Sequence, residues 1–120
     1  MLGPIDHVYY TVQDLGRSVS FYQDTLGLSL LRRDDPFWAE LDGGTVRLAL
    51  HATREGAPVE RGGAVAAFRV EDLDAAIVWL KEKGIEPAHQ GEVEGYGRFA
   101  LFPDPDGNQV EIIEYARGEA

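Results

Sequence analysis

The chain has 120 residues, of which 44% are hydrophobic, 10% aromatic and 27% charged, with a formal net charge of −10 and a pI of about 4.6. That length supports one compact domain with a real core and excludes two independent ones. The acidity excludes generic binding to nucleic-acid backbones or anionic lipid, which depends on Lys and Arg neutralising phosphate.

The chain contains no cysteine, so disulfides, thiolate metal sites and cysteine nucleophiles are ruled out, which fits a cytoplasmic location. No apolar run approaches the roughly 20 residues of a membrane span. The first residues, "MLGPIDH", lack the basic segment and apolar core of a secretory signal. The expectation is a cytoplasmic protein with neither nucleic acid nor membrane as partner.

In chain order, "HVYYTV" reads as a first strand, with His7 directly before its apolar run. A helix follows, because Leu15, Val19, Tyr22 and Leu26 form one apolar face. Asp14 stands where a carboxylate caps the first turn, and Gly27 where a helix ends in the left-handed conformation. "FWAEL", "DGG" and "TVRLALH" then read as a hairpin. The segment 53–63, rich in Gly and charge, reads as a linker.

The order then repeats. "AFRVEDL" aligns with "YYTVQDL", placing Val70 on Val12 at an offset of 70 − 12 = 58. Leu73, Ile77 and Leu80 form a second helical face between Asp72 and Gly84, and Trp79 on that helix is expected in the core. "RFALF", "DPDGN" and "QVEIIEY" form the counterpart hairpin. The fold class expected is α+β, a single domain over 1–120 made of two βαβββ modules, about 1–52 and about 64–117.

Together "HVYYTVQDLGRSVSFYQDTLGL", "FRVEDLDAAIVWLKEKGIE" and "YGRFALFPDPDGNQVEIIEY" resemble the vicinal oxygen chelate superfamily. That group includes glyoxalase I, bleomycin-resistance and fosfomycin-resistance proteins, and extradiol dioxygenases. The resemblance implies curved mixed sheets around an open cleft, a homodimer and a small-molecule ligand. In metal-dependent members the first and last strand of each module supply one ligand each to a divalent ion. His7 matches the first-strand position of the first module and Glu111 the last-strand position of the second. Val65 (7 + 58) stands at the other first-strand position, and an aliphatic side chain cannot donate to a metal. Aligning Gly107 with Gly43 puts Arg47 at the fourth position, and a guanidinium cannot bind a cation.

Two of four positions therefore survive, and no cofactor follows firmly from the chain. His7 and Glu111 are the candidate catalytic and metal-ligating residues, and a charge-assisted pair between Arg47 and Glu111 is expected in the metal's place. Tyr9, Trp38, Arg47, His51, Tyr96 and Arg98 are candidates for the ligand-binding wall, against core packing as the ordinary fate of such aromatics. His51 and His89 are expected on the surface, His89 in a polar loop. The leading reading is a small-molecule-binding protein with a degenerate metal site. The alternatives are a metal-dependent lyase, isomerase or dioxygenase using His7 and Glu111, and metal-free catalysis with His7 as general base. No nucleophile elbow, P-loop or dinucleotide fingerprint is present.

Overall fold

The computed structural model of the chain describes residues 5–53 and 64–116. The linker expected over 53–63 falls outside them except for Thr53. The chain divides into two compact units, Met1–Arg61 and Gly62–Ala120.

The first unit opens with β1 (His7–Val12). Tyr10 and Val12 are buried on one face of this strand, while His7, Tyr9 and Thr11 point to the other, following the two-residue period of a strand. Asp14 ends the strand in extended geometry, and its carboxylate accepts from Arg17 N at 3.0 Å. That cap starts α1 (Leu15–Ser20). The apolar stripe read from sequence is present, but it does not run through a regular α-helix. Residues Phe21–Thr25 form a π-helical turn, in which Tyr22 is fully buried and stacks on Tyr10 with ring centroids 6.3 Å apart. Gly27 then leaves the helix at φ 85°, a conformation that glycine adopts without the Cβ penalty.

β2 (Leu30–Asp34), β3 (Trp38–Asp42) and β4 (Arg47–Ala52) complete a sheet of order β1-β4-β3-β2. β1 and β4 run parallel, which the helical crossover permits, and the remaining pairs are antiparallel. Leu41, Leu48 and Leu50 join Leu15, Val19 and Tyr22 in the core between sheet and helix. The outer strand β2 carries Arg32, Arg33 and Asp34, charges that discourage edge-to-edge pairing.

The second unit repeats this plan, with β5 (Ala66–Arg69), α2 (Leu73–Glu82), β6 (His89–Val93), β7 (Gly97–Pro103) and β8 (Gln109–Tyr115) in the order β5-β8-β7-β6. Asp72 caps α2 through Ala75 N at 3.1 Å, and Gly84 ends it at φ 82°. Leu73, Ile77 and Leu80 are buried, as are Ala100, Phe102, Val110 and Ile112 of the sheet. Trp79 departs from the expectation. It is 42% exposed, with Lys83 Nζ 4.9 Å from its ring centroid, because its position falls off the Leu73–Ile77–Leu80 stripe. His89 opens β6 rather than lying in a loop, and it is exposed as expected. The architecture is α+β, with two four-stranded mixed sheets.

Candidate functional site

The strand period sorts the first sheet into two faces. Tyr10, Leu48 and Leu50 face the helix, so their neighbours His7, Tyr9, Arg47, Ala49 and His51 face away from it. Cross-strand pairing adds β3 to this outer face, with Trp38 opposite His51 and Glu40 opposite Ala49.

Four rings meet there. His7 and Trp38 lie edge to face at 5.5 Å between centroids, Tyr9 and Trp38 at 5.9 Å, Trp38 and His51 at 5.8 Å, and Tyr9 and His51 at 6.0 Å. Tyr9 is 57% exposed, whereas Ala49 at the centre is fully buried. The structure thus brings together four of the candidates chosen from sequence, on a surface floored by a methyl group.

A polar chain borders the rings. Trp38 Nε1 donates to Glu40 Oε2 at 2.8 Å, and Arg47 Nη1 donates to Glu40 Oε1 at 3.2 Å. Arg47 Nη2 donates to Asp6 Oδ1 at 2.6 Å, and His7 Nδ1 lies 2.8 Å from Asp6 Oδ2. The hydrogen bond from His7, followed by the hydrogen bond and charge of Arg47, holds the Asp6 carboxyl below its usual value. An ionised carboxylate only accepts, so Nδ1 is the donor in this pair.

Asp6 and Glu40 did not stand out in the sequence. The signal for Glu40 was present, since it lies two residues from Trp38 and shares its face. Asp6 is disclosed only by the register, which sets His7 directly across from Arg47.

That register also corrects the fourth metal position. Tyr9 pairs with Ala49, and Ala67 pairs with Glu111. Tyr9 and Ala67 are equivalent at 67 − 9 = 58, so the counterpart of Glu111 is Ala49, not Arg47. The sequence alignment failed at the hairpin loops. Gly44, not Gly43, shares the positive φ of Gly107 (96° and 85°), and the two loops differ in length. The slip is two residues along the strand, which keeps the face and changes the position. Arg47 is engaged within its own unit by Asp6 and Glu40.

In the second unit Glu111 sits opposite Leu101 and Ala67, on the face turned away from α2. Arg98 lies on the other face. It donates to Asp74 at 3.2 Å and to Glu114 Oε1 at 3.2 Å, while Leu73 N donates to the same Glu114 oxygen at 2.7 Å. The hydrogen bonds it donates to Asp74 and then to Glu114 raise the Arg98 pKa. Arg98 therefore clamps the start of α2 to β8, rather than sharing a face with Glu111. Tyr96 is 46% exposed in the turn before β7, edge to face with Tyr115 at 5.3 Å. Arg69 in turn lies 4.9 Å from the Tyr115 ring centroid.

A divalent metal fits this donor set poorly. The four family positions hold His7, Ala49, Val65 and Glu111, of which two are aliphatic. Among the described residues, no group of three or more His, Asp or Glu side chains is placed to hold a metal ion.

The fold and the strand positions define a protein of the paired βαβββ class. The sequence matches the Glyoxalase/Bleomycin resistance protein/Dioxygenase superfamily over residues 4–112, and the chain belongs to that family. It is 36% identical over 101 residues to an uncharacterized protein of Mycolicibacterium smegmatis, covering 84% of each chain. It is 29% identical to a Vibrio cholerae protein named "Probable lactoylglutathione lyase", covering 95% of this chain and 92% of that one. The crystal structure of TnmS3, an antibiotic binding protein from Streptomyces sp. CB03234, superposes with a TM-score of 0.78 at 25% identity, covering 96% of this chain and 98% of that one.

Proposed function

We propose that this chain binds a small molecule with a planar ring against the outer face of its first sheet, without divalent-metal chemistry. The observation that carries this reading is the meeting of His7, Tyr9, Trp38 and His51 around Ala49, where the family's ligand position has lost its donor. Aromatic rings offer large contact area at low entropic cost, and His7 edge to face with Tyr9 and His51 tilted pack around Trp38. The likeness to an antibiotic-binding structure favours sequestration. Within the second unit, Glu111 and Tyr96 are proposed as ligand-contact residues in their own right.

The test is a calorimetric screen of planar aromatic compounds against metal-free protein. Binding should be lost in Trp38→Ala and kept in Trp79→Phe, whose side chain lies on α2. Metal analysis of protein purified without chelators is the companion measurement. One tightly held divalent ion per subunit, lost in His7→Ala, would overturn the metal-free reading.

The second reading is a metal-dependent lyase, isomerase or dioxygenase using His7 and Glu111. The likeness to the Vibrio cholerae protein and the placement of both residues on faces turned away from the helices favour it. It predicts metal-dependent turnover that Glu111→Gln abolishes.

A cytoplasmic homodimer completes the proposal. β1 and β5 are end strands of their own sheets, and Val8 on β1 and Val65 just before β5 are exposed, at 36% and 44%. Sedimentation equilibrium of the purified chain tests the dimer.

A further inference from the structure

The border of the aromatic face is not electrically neutral. Register places Asp34 opposite Trp38, Arg32 opposite Glu40, and Asp42 opposite Arg47, all on this face. With Asp6 reaching Arg47, four carboxylates stand against two guanidinium groups. Arg32 is matched by Asp34 at 2.7 Å. Arg47 is shared between Asp6 and Glu40, so one cation answers two anions.

Glu40 is the central one of these. Its side chain is only 16% exposed, and the donation from Trp38 Nε1 ties it directly to the ring that anchors the aromatic cluster. Each carboxylate oxygen accepts more than one hydrogen bond, so Glu40 keeps acceptor capacity beyond Trp38 and Arg47. Beside it, the π faces of Trp38 and Tyr9 attract positive charge and not negative. The net charge of −10 adds a long-range field of the same sign.

From this charge complementarity we infer that the ligand of the aromatic face is a monovalent organic cation with a flat ring, and that Glu40 selects for its charge. The inference rests on the aromatic-face reading above and adds the ligand's class to it. Arg47 is then a built-in competitor, because its guanidinium already occupies one side of Glu40.

The experiment uses three ring compounds of similar size, which are N-methylquinolinium, neutral quinoline and anionic 1-naphthoate. Their dissociation constants for the full chain are measured by calorimetry at low and moderate salt. The cation should bind about tenfold more tightly than quinoline, the scale of a partly desolvated cation–π contact assisted by a carboxylate. Naphthoate should bind weakest, and the advantage of the cation should shrink with salt. Glu40→Gln should weaken the cation by about tenfold and quinoline by a clearly smaller factor, because Gln keeps an acceptor for Trp38 Nε1 and loses the charge. Arg47→Gln should strengthen cation binding, a direction that structural damage does not produce.

Equal affinity for the cation and quinoline, with both lost in Trp38→Ala, overturns the charge inference and leaves the aromatic face standing. Tightest binding of naphthoate also overturns it and makes Arg47 the anchor. No binding by any of the three overturns both readings.

Discussion

The Trp38–Glu40–Arg47 chain makes a quantitative claim that Glu40→Ala tests. The substitution removes the acceptor of two donors, Trp38 Nε1 at 2.8 Å and Arg47 Nη1 at 3.2 Å. The indole bond is part-buried and ends on a charged acceptor, a class of bond worth about 1.5–3 kcal/mol, taken here at its lower end because water reaches the site. The Arg47 arm contributes less. Its side chain is 43% exposed, and half-exposed ion pairs add roughly 0.2–1 kcal/mol. The sum is a loss of about 2 kcal/mol for Glu40→Ala, and about half of that for Glu40→Gln, which keeps one neutral acceptor. Urea denaturation gives the values, and a double-mutant cycle with Trp38→Phe isolates the indole bond, because Phe keeps a ring and loses the N–H. The coupling expected is about 1 kcal/mol. A coupling of zero, with Glu40→Gln as stable as the parent, would falsify the claim that Glu40 holds Trp38.

Glu114→Ala should cost about 1–2 kcal/mol and speed amide exchange at Leu73, whose N–H loses its acceptor, as read by hydrogen-exchange NMR. Gly97→Ala should cost more than about 2 kcal/mol in denaturant unfolding, because a Cβ there would stand 2.4 Å from the Glu114 carbonyl oxygen, which is backbone and cannot swing away. The Asp6 carboxyl has a lowered folded-state pKa, so it adds stability above its unfolded pKa and loses it as pH falls through the folded value. Melting temperature should therefore fall less steeply in acid for Asp6→Asn than for the parent. The difference should be small, because the group is exposed.

The fold was legible because its signals are local and repeated. Asp14 and Asp72, then Gly27 and Gly84, bracket helices whose apolar stripes are short-range patterns. The residues of the aromatic face were legible for a related reason. His7, Tyr9, Trp38 and His51 lie at odd or even positions that the strand period sends to one side. What failed were properties fixed by pairing. The position of Arg47 depends on the length of a hairpin loop, and the choice of glycine together with one residue of difference in loop length displaced it by two residues. Arg98 precedes Phe99 in an alternating strand, and only the pairing with Glu114 shows which of the two faces α2. The π turn at Phe21–Thr25 keeps the helical stripe and changes only the hydrogen-bond spacing, which residue type does not report.

Moving Arg47 off the metal position changes the reason why a cation of charge two fits badly. At the ligand position itself, Arg47 would block the metal directly. Two residues away, it acts through the carboxylates instead. A divalent ion at His7 would need oxygen donors in the same unit, and two carboxylates bordering the rings are Asp6 and Glu40. Both already accept from Arg47. To recruit either, the ion must displace a guanidinium that keeps its charge and stays tethered to the same strand, so part of the gain returns as repulsion between like charges. A monovalent organic cation meets neither obstacle. It needs no inner-sphere donors, and it can rest on the rings of Trp38 and Tyr9 while sharing Glu40 at its edge. Ala49 at a ligand position and Arg47 between two acids thus weaken a metal site on this sheet, yet keep the carboxylate and rings by which the proposed cation would be recognised.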